Sequence, residues 1–490
     1  MALKKRQRRS VGFIPDLLLP DRFRSIGEKM ERILPGVKKV HLVGIGGIGM
    51  SGLALLLKEK GVEVTGSDSH PTPTTEMLKN KGIKLFIGHS KQNLDSDTDI
   101  LCHSSAISEA NCEIAEARRK NIRVAKRGLL LAELCKDKNT IAVSGSHGKT
   151  TTTSLLGYLL TSTGHDPTVF IGGLPLNYSE WAWWGKDFFV VECDESDGSF
   201  LYYKPEYSII TNIDQEHMDY YKDSGRLKES FLQFALNTKR KVFGWGDDPV
   251  VRKIIQKTGG VSFGWGKNNQ VRGEKFSLKN DFSYFDLYIK DKFVFKVKIP
   301  LLGKHNCINC LSVFSFFDYL GEDLNKVKNL ITGFKGTRRR FQKKGKFRGV
   351  SFVDDYAHHP TEIKAVLDTA RKLDYGRLIV IFEPHRFSRV KDLYREFSKC
   401  FCGVNHVFIT DIYSASEAPI ENITSSWLGE LIKQNSNTDV RYFSAEKAVS
   451  ELPRFFKERD LVISLGAGNV SNILDEVINV FKSGSVKQSC

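Results

Sequence analysis

Residues 143–153, VSGSHGKTTTT, constrain this chain more than any other stretch: an apolar strand at 140–143 runs into a glycine turn, one lysine and a run of hydroxyls. Leu155, Leu156, Leu159 and Leu160 follow at helical spacing, so the sequence predicts strand, turn and helix in that order. Gly145 and Gly148 let the backbone curl so that amide N–H groups converge on an anion at the positive end of the helix. Lys149 can then reach the β- and γ-phosphates of a nucleoside triphosphate, and Thr150 offers a hydroxyl to Mg²⁺. The strict phosphate-loop pattern wants glycine five residues before Gly148, and the chain has Val143 there, so the loop is a shorter variant. A plain Gly/Ser turn would have no use for the lysine and the four consecutive threonines.

A chain of 490 residues exceeds one ordinary core, and several domains follow. Its 73 Lys+Arg against 57 Asp+Glu give a formal charge of +16, which alone would invite a polyanion such as nucleic acid. The positive charge is scattered, however, except in KKRQRR at 4–9 and TRRRFQKKGK at 337–346, and no zinc finger, recognition helix or RNA-binding aromatic signature is recognisable. Small anionic substrates explain the clusters, and nucleic acid is not expected as a partner. The nine cysteines lack the spacing of a secreted scaffold. Cys307 and Cys310 lack the second pair that structural zinc would need, so packed thiols are expected. No apolar run reaches ~18–20 residues, and prolines and an aspartate spoil VGFIPDLLLP as a signal-peptide core. The expectation is a cytoplasmic protein without membrane insertion.

The βα pattern repeats on both sides of the loop, which predicts an α/β protein with an N-terminal extension at 1–37 and three domains at 38–132, 133–335 and 336–490. In the first domain, Gly44, Gly46, Gly47 and Gly49 permit close approach of a pyrophosphate, with Asp68 at the distance of a ribose hydroxyl. NAD(P) would suit that turn too. HSSAI at 103–107 adds Ser104 and Ser105, as a second phosphate or sugar contact or as a plain turn. In the central domain, FFVVECDESDGSF ends a strand in acids; Glu192 is the leading magnesium ligand, and the acids nearer Asp197 serve equally as caps. YSIITNIDQEH delivers Asn212, Asp214 and His217 beyond the next strand, where His217 suits a second divalent ion. VSFGWG, SYFDLYI and FVFKVKIPLLG predict a small antiparallel part, and GKHNCINC then sets His305, Asn306 and Asn309 at a helix mouth, to meet a nucleotide or cap the helix. In the third domain, DDYAHHPTEI sets Asp355, His358 and His359 after a strand, with Pro360 in the first turn of the next helix. EPHRFSR delivers His385, Arg386 and Arg389, whose guanidinium groups suit phosphate or carboxylate.

One triphosphate loop, one dinucleotide-like domain without redox machinery and one further anion-binding domain suit a ligase, which must assemble ATP, an activated carboxylate and an amine. GIGGIGMSG, GSDS, GSHGKTTTT, ECDESDGSF, TNIDQEHMDYY, GKHNCINC, GTRRRF, DDYAHHPTEI, EPHRFSR and GAGNV occur in order over residues 38–470, and the set resembles the Mur ligase family of peptidoglycan synthesis. The resemblance implies an N-terminal Rossmann-like UDP-binding domain, a central P-loop ATPase with a mostly parallel sheet plus a small antiparallel part, and a C-terminal Rossmann-like domain that closes over the site. The motifs are most similar to those of members adding the first amino acid. This implies UDP-N-acetylmuramate and L-alanine as partners, ATP and Mg²⁺ as cofactors, and a monomer or weak dimer. Such members phosphorylate the lactyl carboxylate with ATP, and the amine attacks the resulting acyl phosphate.

Carried onto this sequence, the resemblance gives Lys149 the transferring phosphoryl, with Gly145, Ser146, His147, Gly148, Thr150 and Thr151 around the phosphates. It puts His305, Asn306, Asn309 and Arg340 at the nucleotide, gives one Mg²⁺ to Thr150 and Glu192, and gives a second to His217. Gly44, Gly46, Gly47, Ile48, Gly49, Asp68, Ser104, Ser105 and Arg127 would hold the UDP-sugar. Asp355 or His358 would handle the amine proton, and His359, His385, Arg386 and Arg389 would reach substrate on closure. Ser146 replaces a usual threonine, and Arg338 and Ala357 replace common glycines, without removing a ligand. Two alternatives stand beside this reading: a recycling ligase that takes a preformed tripeptide, and a nonenzymatic nucleotide sensor or scaffold.

Overall fold

In a computed structural model, which describes residues 33–483, the repeated βα units become three sheets. The basic cluster at 4–9 and most of the extension at 1–37 lie outside the described residues. The first sheet is wholly parallel, in the order Lys84–Ile87, Glu63–Asp68, Lys39–Val43, Ile100–His103, Arg123–Lys126. Strand order reverses between Lys39–Val43 and Ile100–His103, the point where ligands enter such sheets. The glycine turn leaves one of these strands and Ser104 the other, and a Cβ on Gly44 would stand 3.3 Å from Ser104 Cβ.

A buried network pins that turn from below. Glu113 accepts from Ser67 Oγ (2.6 Å), Asn93 Nδ2 (2.6 Å) and Ser90 N (3.1 Å), with His41 Nε2 at 3.7 Å. The Ser67 carbonyl in turn accepts from Gly44 N and Ile45 N. Burial pushes the Glu113 carboxyl up, but the His41 ring beside it and the bonds from Ser67 and Asn93 outweigh it and hold it at about 2. A depressed folded value stabilises the fold above the unfolded carboxyl range and is lost as pH falls toward the folded value. Glu113→Gln should therefore cost on the order of 2 kcal/mol at pH 7. The gap to the parent should narrow as pH falls from ~4.3 toward 2. Urea unfolding at pH 7, 4 and 3 checks this, and a gap independent of pH contradicts it.

The central sheet has ten strands, in the order Lys292–Ile299, Phe282–Ile289, Val271–Lys279, Val261–Gly264, Lys241–Trp245, Tyr207–Ile210, Asn139–Ser144, Phe188–Glu192, Thr168–Phe170, Ala182–Trp183. It is parallel through the middle and antiparallel only toward its two edges, as the strand-like tail of the domain suggests. Asn139–Ser144 lies between Phe188–Glu192 and Tyr207–Ile210, so three carboxyl ends meet: the phosphate loop, the acids from Glu192, and the Asn212–His217 loop. The first and second sheets share one hydrophobic core. Trp181 donates its indole N–H to Ile48 O at 2.9 Å, and a Cβ on Gly52 would meet Phe170 and Trp181 at 3.0 and 3.1 Å.

The third sheet runs Gln342–Phe347, Val350–Asp355, Leu461–Leu465, Leu378–Phe382, His406–Ile409, Asp439–Tyr442, with only the first pair antiparallel. Its apolar clusters are separate from the shared core, as a domain able to move as a unit requires. Pro360 opens the helix Pro360–Ala370, capped by a reciprocal pair from His359 and Glu362. Cys307 and Cys310 are buried, unpaired thiols in the helix Lys304–Leu320, and burial pushes Cys307 up to about 12. Among the described residues no helix is long and apolar enough to cross a membrane.

Candidate active site

Two left-handed glycines shape the phosphate loop: Gly145 has φ +133° and Gly148 φ +83°. A Cβ at Gly145 would stand 2.1 Å from Thr211 Oγ1, and one at Gly148 2.6 Å from Asn309 Oδ1, so only glycine fits where neighbouring elements close on the loop. The helix Lys149–Thr163 starts without a side-chain cap, which leaves its first amides to an anion. Lys149 Nζ folds back to donate to Gly145 O (2.5 Å), Ser146 O (3.1 Å) and Glu195 Oε1 (2.9 Å). Burial opposes its charge, but Glu195, Asp194 and Glu192 outweigh it and keep Lys149 protonated.

Oxygen donors surround the lysine. Thr150 Oγ1 donates to Glu192 Oε1 at 2.9 Å, while Glu192 Oε2 accepts from Gly172 N at 2.7 Å. Burial drives the Glu195 carboxyl up to about 8 even against the ammonium beside it, and its Oε2 is buried without a hydrogen-bond partner. His217 Nε2 lies 3.6 Å from Glu195, and Glu195, Glu216 and His217 offer ligand atoms within 4.8 Å of one another. Burial lowers the His217 value, so the imidazole is neutral and able to bind a cation. A hydroxyl, several carboxylates and one orphaned carboxylate oxygen beside a phosphate loop fit the hard-oxygen chemistry of Mg²⁺.

Two cavities meet at the loop. One, of about 430 Å³, is lined by Gly148, Thr151, Asn212, Trp245, His305, Asn306, Asn309, Arg340 and Asp355. Asn306 sits inside the helix, whose cap is Gly303, and donates to Leu302 O at 2.8 Å, so the capping alternative falls. The other cavity, of about 760 Å³, takes walls from every domain: Gly47, Ile48, Gly49, Ser104, Ser105 and Arg127 from the first, Ser146, Lys149, Thr150, Glu192 and His217 from the second, Arg339, Tyr356 and His358 from the third. Gly148, Arg340 and Glu362 line both. Arg127 ties the first domain to the second through Asp194 Oδ2 at 3.1 Å.

The remaining sequence candidates stand off these walls. Asp68 Oδ2 accepts from Gly46 N at 2.8 Å, so it braces the glycine turn, where the sequence suggested a ribose contact. His359 accepts from Thr361 N through Nδ1 and packs against His147, ring centroids 5.2 Å apart. His385 stacks on Tyr413 and receives a bond from Arg389 at 3.0 Å, while Arg386 turns toward Glu417 at 4.0 Å. This loop meets the site where His385 packs on His358, 5.4 Å between centroids.

Asp355 and His358 face different cavities. Asp355 accepts from Phe341 N (2.6 Å) and Ala357 N (2.8 Å), and burial pushes it up to about 6. His358 Nδ1 lies 3.0 Å from Tyr356 O, a partner that can only accept, so Nδ1 carries the proton and Nε2 the lone pair. Burial lowers His358 to about 4.

Sequence reasoning missed Glu362. It sits in the first turn of a helix, where spacing reveals neither its cap with His359 nor its contacts with His147, Arg340 and His358. Glu216 was missed because an acid in a post-strand loop carries no periodic signal. His147 lines the smaller cavity beside Gly148, and its ring faces Asp214 (3.2 Å), Glu362 (3.4 Å) and Glu216 (4.0 Å). Burial opposes its charge, yet these carboxylates raise His147 to about 10.

Three family profiles match in order: Mur ligase family, catalytic domain, over 39–139; Mur ligase middle domain over 143–316; and Mur ligase, glutamate ligase domain, over 339–468. The UDP-N-acetylmuramate–L-alanine ligase of Oleidesulfovibrio alaskensis is 40% identical over 443 residues, 89% of this chain and 97% of the relative. The ligase of the same name from Chelativorans sp. is 38% identical over 447 residues, 88% of this chain and 96% of the relative. The crystal structure of the UDP-N-acetylmuramate-alanine ligase of Thermotoga maritima matches with a TM-score of 0.80 at 29% identity, over 91% of this chain and 100% of that one. A murein peptide ligase from Psychrobacter arcticus shares the fold, with a TM-score of 0.68 at 22% identity over 91% of this chain and 99% of that one. The chain therefore belongs to the Mur ligase family.

Proposed function

We propose that the protein is an ATP-dependent ligase that joins L-alanine to the lactyl carboxylate of UDP-N-acetylmuramate, releasing ADP and phosphate, in the cytoplasmic steps of peptidoglycan synthesis. The observation that carries this reading is the cleft walled by all three domains, with the phosphate loop at the point where it meets the second cavity. The glycine turn, the start of the helix Ile48–Glu59, Ser104, Ser105 and Arg127 bind the UDP-sugar. Asn306, Asn309 and His305 receive the nucleotide, and Lys149 exchanges its loop carbonyls for the γ-phosphate. Thr150, Glu192 and His217, with Glu195 beside them, would hold magnesium, which supplies charge neutralisation at the transferring phosphoryl.

A carboxylate oxygen attacks the γ-phosphorus and ADP leaves, giving an acyl phosphate. The deprotonated α-amine of alanine then attacks the carbonyl carbon, and the tetrahedral adduct collapses to the amide as phosphate departs with its bridging oxygen. Two facts support His358 over Asp355 as acceptor of the amine proton: His358 lines the cleft and keeps a lone pair on Nε2, whereas both Asp355 oxygens already accept backbone N–H groups. Assays with UDP-N-acetylmuramate, ATP and either L-alanine or the tripeptide test the reading. Amide formation with L-alanine is expected, and product with the tripeptide alone would overturn it.

A further inference from the structure

We infer that Glu362 is a positioning residue that locks the phosphate-loop histidine His147 and the cleft histidine His358 into one closed arrangement of the central and third domains; the inference rests on the ligase reading above. Glu362 Oε1 lies 3.4 Å from His147 Nδ1 and 3.6 Å from Arg340 Nη1. Oε2 lies 3.3 Å from His358 Nδ1 and accepts from His358 N (3.2 Å) and His359 N (3.4 Å). One carboxylate thus spends one oxygen on the central domain and Arg340, and the other on the segment that carries His358.

His147 is a rigid partner for this contact. Its N–H donates to Asn212 Oδ1 at 2.9 Å, and its carbonyl accepts from Thr211 Oγ1 (2.6 Å) and Asn212 Nδ2 (2.9 Å). These bonds fix the imidazole relative to the phosphate loop and the Thr211–Asn212 segment. Thr361 Oγ1, one residue before Glu362, crosses the same interface to Asp214 Oδ2 at 2.7 Å, and Asp214 also meets His147. On the other side, the Nδ1–H of His358 is shared by Tyr356 O and Glu362 Oε2, which fixes the ring with Nε2 free. Glu362 is the side chain that reaches both histidines, and it lines both cavities. The carboxylate stays ionised although buried, because His358, His147 and Arg340 surround it.

A purely local role would be helix capping, and that role needs no charge, since glutamine serves at the same position of a capping box. Glu362→Gln therefore separates the two. The variant should lose stability at pH 7 as Glu113→Gln does, yet, at a temperature where it and the parent are both folded, turn over about 10–100-fold more slowly, the loss falling on kcat more than on the KM for UDP-N-acetylmuramate. His147→Gln should show a similar loss, and the double variant should be no worse than the poorer single within about twofold, because the two side chains act through one contact. Should Glu362→Gln fail to fold, Glu362→Asp, which keeps the charge but is one methylene short of His147, is expected to show the same slow turnover. Parent-like rates in a folded Glu362 variant, or losses that multiply in the double variant, would overturn the inference. If the parent itself forms no amide with L-alanine, the ligase reading has failed, an outcome distinct from a parent-like Glu362→Gln.

Discussion

Lys149→Ala should reduce amide formation by about 10³-fold or more while leaving a folded protein, the largest loss expected from a single side chain here. Phosphoryl transfer gives a protein little covalent work, so catalysis rests on positioning and on charge aimed at the γ-phosphate. Lys149 brings a full positive charge to the mouth of the loop, held there by Glu195 at 2.9 Å and by two loop carbonyls, and all three partners can release it to a phosphate. Loss of 10³ corresponds to about 4 kcal/mol of transition-state stabilisation. The fold should tolerate the change because Glu195, pushed up to about 8, is already largely protonated at neutral pH and leaves no buried charge behind when its ammonium partner goes. A raised folded value means that stability falls as pH rises from the unfolded carboxyl range through the folded value. The variant should accordingly melt close to the parent at pH 6 and below it at pH 9. ADP release and thermal melts measure both parts; a variant that keeps a tenth of parental turnover contradicts the role.

His217→Gly should uncouple activity from stability. His217 adopts φ +59° and ψ +37°, just before the short helix Met218–Tyr221, a conformation that costs a β-carbon-bearing residue roughly 1–2 kcal/mol. Glycine removes that strain at an entropic cost of similar size in the unfolded chain, and little packing is lost because the imidazole is 21% exposed. Stability should change by less than about 1 kcal/mol. Activity should fall by about 10²–10³ because the imidazole beside Glu195 and Glu216 disappears from the proposed magnesium site. Retained turnover with a lowered melting temperature would mark His217 as a packing residue.

The contrast between these sites and the rest of the molecule shows what a sequence can carry. The strand Leu378–Phe382, LIVIF, is buried along its whole length and reads as a short apolar run, and the charged loop after it announces a ligand end. That was enough to set the phosphate loop, Glu192 and His217 at the ends of successive strands. It could not show that the first two sheets share a core, because this depends on Trp181 and Trp184 reaching carbonyls of the helix Ile48–Glu59 across more than a hundred residues of chain. Nor could it orient side chains after a strand ends, where alternation stops. Asp68 turns back to Gly46 and Arg386 to Glu417 because tertiary partners lie there. Glu362 was hidden because no local pattern marks it: its contact with His147 comes from another domain, and that with Arg340 from a segment twenty-two residues earlier.

Activation of a carboxylate by phosphoryl transfer is the central step of the proposed reaction, and isotope transfer tests it most directly. UDP-N-acetylmuramate labelled with ¹⁸O in both lactyl carboxylate oxygens is turned over with ATP and L-alanine, and the phosphate is analysed by mass spectrometry. Attack of the carboxylate on the γ-phosphorus predicts one ¹⁸O in each phosphate released and one in the amide carbonyl. Phosphate free of label, or AMP and pyrophosphate in place of ADP and phosphate, would contradict it.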